Sequence, residues 1–279
     1  MSFALAHDRL RTVLGEDGDR PDGEDPSDPS TVQAMPLVLH LPHEPRPERR
    51  DLLEAAAIAC VSVCLDERAG QDTAFAEALM NWYGARIRKI ARRARNKKWS
   101  DVQSLPGVTA SVGDPQRPAS VRAFPACPVT ETPALINRLQ IEGTDLPLPE
   151  DAEGVLDADD HPVVYVDASL TMTVGKAAAQ VAHGSMLLAA ALGRGRAWRW
   201  AQDGFPLHVC EVDAGRFEVV RAEAERRERG AGTQDTGASD GSGADGSAAV
   251  VRDAGYTEVA PGSVTVVALD RGAPAPSGQ

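Results

Sequence analysis

Two alanine-rich runs constrain this chain most. EAAAIACVSV at Glu54–Val63 and KAAAQVAHGS at Lys176–Ser185 each follow an apolar strand that opens on a proline, PLVLHLP at Pro36–Pro42 and PVVYVDA at Pro162–Ala168. Alanine is the strongest helix former, so each run predicts a helix. Its small side chain lets that helix lie close to a sheet. A strand followed by such a helix is the opening of an α/β layer. Each block then reaches a tryptophan segment, a strand and a further helix. Two readings stay open: a divergent internal repeat, or two helices alike only through their alanines.

The order of elements predicts the fold class, α/β, in two blocks. In the C-terminal domain the strands are Pro162–Ala168, Leu207–Val212, Ala248–Arg252 and Ser263–Leu269, with helices at Gly175–Leu192, Ala197–Asp203 and Arg216–Arg229. These predict a four-stranded mixed sheet with helices packed on it. The preceding block predicts a truncated α/β domain, with strands at Pro36–Pro42 and Ser120–Phe124. Its helices are Glu48–Leu65, one or two over Phe75–Trp99, and Thr132–Leu139, and it has no counterpart of the last two strands.

The boundaries follow from composition. Residues 1–34 read as an acidic disordered tail with a short helix near Ala4–Leu14, 35–145 as the first domain, 146–161 as a linker and 162–270 as the second domain. Within the second, 230–247 is a Gly/Ser/Asp insertion with nothing to bury, and 271–279 is a loose tail.

Aromatic residues make up only 4% of the chain, so alanine, valine and leucine must build the core. No apolar run is long enough to span a bilayer, and the N-terminus has no apolar signal core. Cys60 and Cys64, four residues apart in an apolar run, read as buried thiols on one helix face. Together these predict a reducing, cytoplasmic setting without membrane contact. The net charge of −12 is uneven. Acids gather at Glu16–Asp28 and Asp145–Asp160, whereas Arg86–Lys98 (RIRKIARRARNKK) holds eight cations and no acid. A partner senses the field within about 8 Å, so the local patch matters more than the sum. Read as a helix flanked by Trp82, Tyr83 and Trp99, this stretch suits an RNA backbone, with Arg86, Arg88, Arg92, Arg93 and Lys97 as contacts.

Two segments carry chemistry. In Met172–His183 (MTVGKAAAQVAH), Gly175 permits a tight turn and Lys176 falls in the first helical turn, where unpaired N–H groups welcome an anion. Lys176, Gln180 and His183 share one helix face by their spacing. In Arg252–Thr265 (RDAGYTEVAPGSVT), a strand, two tight turns and a strand bring Asp253, Thr257 and Thr265 together. A carboxylate and two hydroxyls can orient a water and accept its proton.

Taken together, GKxAAQxxH followed by RDAGxTxxxPGxVTV resembles the type 2 peptidyl-tRNA hydrolase family over roughly 110 residues. The resemblance implies hydrolysis of the ester between a peptide and the tRNA 3′ ribose, with no metal or cofactor. It implies catalytic positions at Asp253, Thr257, Thr265, Lys176 and His183, with Lys176 also on the tRNA. The implied partner is peptidyl-tRNA. A homodimer is implied too, or a monomeric pseudo-dimer in which the first block replaces the partner. The turn departs from the family pattern. Thr171 stands where the family has a lysine, Val174 where it has a second basic residue, and Ser169 where it has an aspartate. The alternative is therefore a tRNA- or protein-binding module that keeps the fold without the chemistry.

Overall fold

The computed structural model describes residues 2–15, 24–25, 27–148, 160–231, 247–253 and 258–271. The protein is α/β, with two mixed sheets that each carry helices.

The first block runs β1 (Gln33–His40), α2 (Arg49–Cys64), α3 (Ala74–Tyr83), β2 (Lys89–Ala94), α4 (Asn96–Val102), β3 (Val108–Val112) and β4 (Ala119–Ala123). The two-residue β5 (Cys127–Pro128) and the one-turn α5 (Ala134–Asn137) follow. Helix α1 (Ser2–Leu10) precedes them all. The second block runs β6 (Val163–Asp167), α6 (Val174–Ala191), α7 (Arg194–Gln202), β7 (His208–Val212), α8 (Ala214–Ala231), β8 (Ala248–Arg252) and β9 (Val264–Leu269).

The two sheets have one topology. The first is ordered β2-β1-β4-β3, with β5 on β1 as an extra, and the second β7-β6-β9-β8. In each, the first strand pairs parallel with the strand after the helices and antiparallel with the last strand, which closes a hairpin. The contacts between blocks are reciprocal. Helices α2 and α6 pack on each other, α6 lies against β2, and α2 lies against β7. Ser185 Oγ on α6 donates to Ala57 O on α2 at 2.8 Å, and Val209 N on β7 donates to Glu54 Oε1 on α2 at 3.1 Å. Of the two readings of the similar openings, this topology favours the repeat.

Alanine sets this arrangement. Ala55, Ala56, Ala57 and Ala59 on α2, and Ala177, Ala178, Ala182, Ala189 and Ala190 on α6, are fully buried. Both helices are therefore apolar almost all round, as a helix held between a sheet and another helix must be. Cys60 and Cys64 are buried free thiols in the same core.

Several expectations are corrected. Arg86–Lys98 is not a helix: Lys89–Ala94 is strand β2, and only Asn96 onward is helical. Arginine, lysine and alanine favour helix, but parallel pairing with β1 from Met35 to His40 overrides that weak preference. The first block is not truncated, since β3 and β4 are the counterparts of β8 and β9. Thr132–Leu139 yields a single helical turn. The short helix expected near Ala4–Leu14 is present, but it packs on the core instead of belonging to a disordered tail. In α1 and the turn after it, Ala6, Leu10 and Val13 form a buried stripe at helical spacing, and His7 Nε2 lies 3.0 Å from Ala189 O near the end of α6. Leu146 is buried, so the start of the 146–161 linker belongs to the core, as Thr144 just before it does. The insertion at 232–246 and the tail from 272 lie outside the described residues.

Candidate active site

The site is built on the start of α6. Thr173 caps the helix: its Oγ1 accepts from Lys176 N at 3.2 Å, and its carbonyl accepts from Ala177 N at 2.8 Å. Gly175 N donates to Thr144 Oγ1 at 3.1 Å, so the first block supplies part of the cap. A Cβ at Gly175 would lie 3.1 Å from that hydroxyl, so a side chain here would have to push Thr144 aside. Thr173 in turn donates its own N–H and hydroxyl to Glu258, at 2.8 and 2.7 Å. The expectation of an open anion corner is corrected, because threonine oxygens already satisfy the amides of Gly175, Lys176 and Ala177.

One turn further on, the side chains converge. Lys176 Nζ bonds Asp253 Oδ2. Gln180 Nε2 donates to the same oxygen at 2.6 Å, and Thr265 Oγ1 donates to Gln180 Oε1 at 2.7 Å. Asp253 directly follows β8, where a bulge between Val251 and Arg252 shifts the register against β9. Its backbone is pinned: Asp253 N donates to Ser263 O at 2.9 Å and Gly262 N donates to Asp253 O at 2.7 Å. The Asp253 side chain is 7% exposed and Thr265 0%, while Lys176 keeps 12%. The carboxylate is held by Lys176 and Gln180 and borders the cleft that Lys176 lines.

That cleft measures about 1160 Å³. Its floor is one stripe of α6 that includes Lys176, Gln180, His183 and Leu187. One wall is Val250–Asp253 at the β8 edge of the second sheet, and the other is residues 84–91 at the β2 edge of the first. Of the basic stretch, Arg86, Arg88 and Lys89 line the cleft. Arg88 pairs with Glu24, whose carboxylate also accepts from Gln33 N at 3.0 Å. Lys89 Nζ lies 3.2 Å from Met186 Sδ and 4.9 Å from the centre of the Trp82 ring, and burial lowers its pKa.

The other cations of that stretch have different duties. Arg92 donates to the carbonyls of Asn137 and Leu139, both at 3.0 Å. Arg93 donates to Glu142 O at 2.8 Å, and Lys97 pairs with Asp101 at 2.8 Å. Arg92 and Arg93 thus hold the 137–142 segment against β2, and none of the three lines the cleft.

His183 is half-buried in the cleft floor. Thr257 lies outside the described residues. Thr171 is exposed with φ of +46° and opens on a separate depression of about 200 Å³ beside Arg49, Asp167 and Glu211. Val174 is wholly buried, so a cation at that place would have to leave the core. The sequence reading missed Thr144 and Glu258. Neither follows a pattern, because each reaches α6 from a distant part of the chain.

The first block has no such corner. By position, Asp51 stands third in α2 as Lys176 stands third in α6, Ala55 answers Gln180, and Ser120 answers Thr265. After β3 comes Gly113, and a Cβ there would sit 2.1 Å from Asp51 Oδ2. Burial raises the Asp51 pKa, with Glu48 adding to the effect. Ser120 is bonded to Ser111 at 2.8 Å. The two blocks thus share a topology, while a carboxylate stands at the place of the lysine and a glycine at the place of the aspartate.

No family model matches the chain.

Proposed function

We propose that the protein hydrolyses the ester joining a peptide to the 3′ ribose of tRNA, in the cleft above Lys176 and Asp253. The observation that carries this is the linked set Lys176, Asp253, Gln180 and Thr265 at the head of a cleft far larger than a water site requires. Asp253 orients the attacking water, takes its proton and passes it to the 3′ oxygen of the ribose as the ester C–O bond breaks. Lys176 then faces the negative charge that develops on the ester carbonyl. Gln180 and Thr265 are positioning residues that fix the direction of the carboxylate. His183 lines the path that the tRNA end follows, and Arg86, Arg88 and Lys89 attract its phosphates.

The first block takes the place of a second subunit in this reading, so one chain works as a pseudo-dimer. No helix among the described residues is long and apolar enough to cross a membrane, which fits a tRNA-directed enzyme of the cytoplasm. The reading needs no cofactor. The alternative is a tRNA- or protein-binding module without chemistry. Thr171 and Val174 favour it, since one is turned to a different depression and the other is buried.

Release of acetylated aminoacyl groups from tRNA decides between the two. The native chain is expected to release them, and Asp253→Asn to lose at least about a hundredfold in kcat, the scale of a lost electrostatic partner. Tight tRNA binding without release by the native chain would establish the alternative.

A further inference from the structure

Strand β2 is an edge strand, and its ladder shows which backbone groups face outward. Met35 N donates to Arg88 O at 3.0 Å, and Leu41 N to Ala94 O at 2.9 Å. A parallel ladder uses alternate residues, so 88, 90, 92 and 94 face β1 while 87, 89, 91 and 93 face away. Arg93 confirms the alternation: its N–H donates to Gln140 O at 2.8 Å in an antiparallel bridge. The edge therefore already accepts an extended chain at one position.

Among the described residues that chain makes no further backbone bond to the edge, and residues 141–145 line the same cleft. Gly143, with φ of +72°, turns it within three residues, and Thr144 is already on the α6 terminus. Ile87, Lys89 and Ala91 are left with outward N–H and C=O groups for which the described residues show no backbone partner, and all three line the cleft. From Ile87 to Ala91 the edge spans about 13 Å, room for three or four extended residues. Its Ala91 end approaches the start of α6, where a Cβ at Gly175, next to Lys176, would lie 3.8 Å from Ala91 Cβ, and the same cleft holds Lys176 and Asp253.

We propose that this free edge of β2 binds the peptide arm of the substrate as an added strand, parallel to β2, with its C-terminal carbonyl delivered to Lys176 and Asp253. The inference rests on the ester-hydrolase reading for the identity of the ligand. Such an enzyme must hold peptides of any sequence, and backbone pairing at a sheet edge reads main chain alone. The apolar side chains nearby, Ile87, Leu187 and Val250, supply contact without demanding one residue type.

The test uses the full chain and N-acetyl-trialanyl-3′-amino-3′-deoxyadenosine, in which an amide replaces the ester. Amide hydrogen exchange is followed by NMR with and without a saturating amount. Exchange at Ile87, Lys89 and Ala91 is expected to slow by about tenfold or more, while Ile90 and Arg92, whose N–H groups already pair with β1, stay unchanged. N-methylation of the analogue is expected to weaken binding by about tenfold at alternate peptide nitrogens only. Protection confined to Val250 and Arg252, or a methylation effect equal at every nitrogen, overturns the proposal. Protection at β2 without hydrolysis of peptidyl-tRNA would leave the edge site standing and remove the hydrolase reading. Hydrolysis with an unprotected β2 edge would do the reverse.

Discussion

The Thr265 hydroxyl donates to Gln180 Oε1 at 2.7 Å, on the far side of an amide whose nitrogen must face Asp253 because a carboxylate only accepts. With the carbonyl engaged, Nε2 is turned toward the carboxylate, which it meets at 2.6 Å. A flipped amide would set two oxygens against each other. Thr265→Val is expected to destabilise the fold by about 1–3 kcal/mol, because the buried Gln180 carbonyl loses its donor. Hydrolysis should fall through kcat with KM unchanged. Gln180→Leu alone should cost a similar amount, and the double variant clearly less than the sum. Additive losses in urea denaturation would show that the two side chains act separately.

A second polar pair ties the blocks together. Arg49, the first residue of α2, makes a two-bond contact to Glu211 on β7 at 2.7 and 2.8 Å, with 6% and 4% of the side chains exposed. Its remaining N–H groups reach Leu146 O and Met172 O at 3.2 and 3.0 Å. Removing one partner strands a buried charge. Arg49→Met is expected to cost about 3–5 kcal/mol, and Arg49→Met with Glu211→Met to recover much of it. Chemical denaturation of the three chains measures both.

His7 gives the protein an acid limit. The ring is 1% exposed, with Nε2 3.0 Å from Ala189 O, and burial holds its pKa below the ordinary value near 6.5. The folded state keeps the ring neutral where the unfolded chain has begun to take up a proton. Stability from this group is therefore complete above about pH 6.5 and is lost as the pH falls toward the lowered folded pKa. Native Tm should drop over that interval, and His7→Gln, which keeps a donor for Ala189, should flatten the drop. Parallel Tm curves for the two chains would exclude His7 as the cause.

How much could be read from the residues depends on the range of the forces involved. Helices α2 and α6 are dictated locally by alanine, and β1 and β6 by bounded apolar runs, so all four were legible. Asp253, Lys176 and Thr265 were legible as a group only through two motifs far apart in the chain. Strand β2 was not, because KIARRA has helical propensity and becomes a strand only on meeting β1. Its cations then divide by strand alternation and position: Lys89 reaches the cleft while Arg92 turns to Asn137 and Leu139. Helix spacing could not foresee that division. The caps from Thr144 and Glu258 depend on tertiary approach alone.

The matching sheet orders of the two blocks carry a last consequence. In an assembly of two identical subunits, any residue lost from one catalytic corner is lost from both, so neither copy can be relieved of its task. Here the two copies are encoded separately along one chain. Asp51 and Gly113 can therefore differ from Lys176 and Asp253 at matching places of the fold, as two identical subunits could not. One block thus forms a wall of the cleft whose floor the other supplies, and among the described residues the Lys176–Asp253 pair has no counterpart at Asp51 and Gly113.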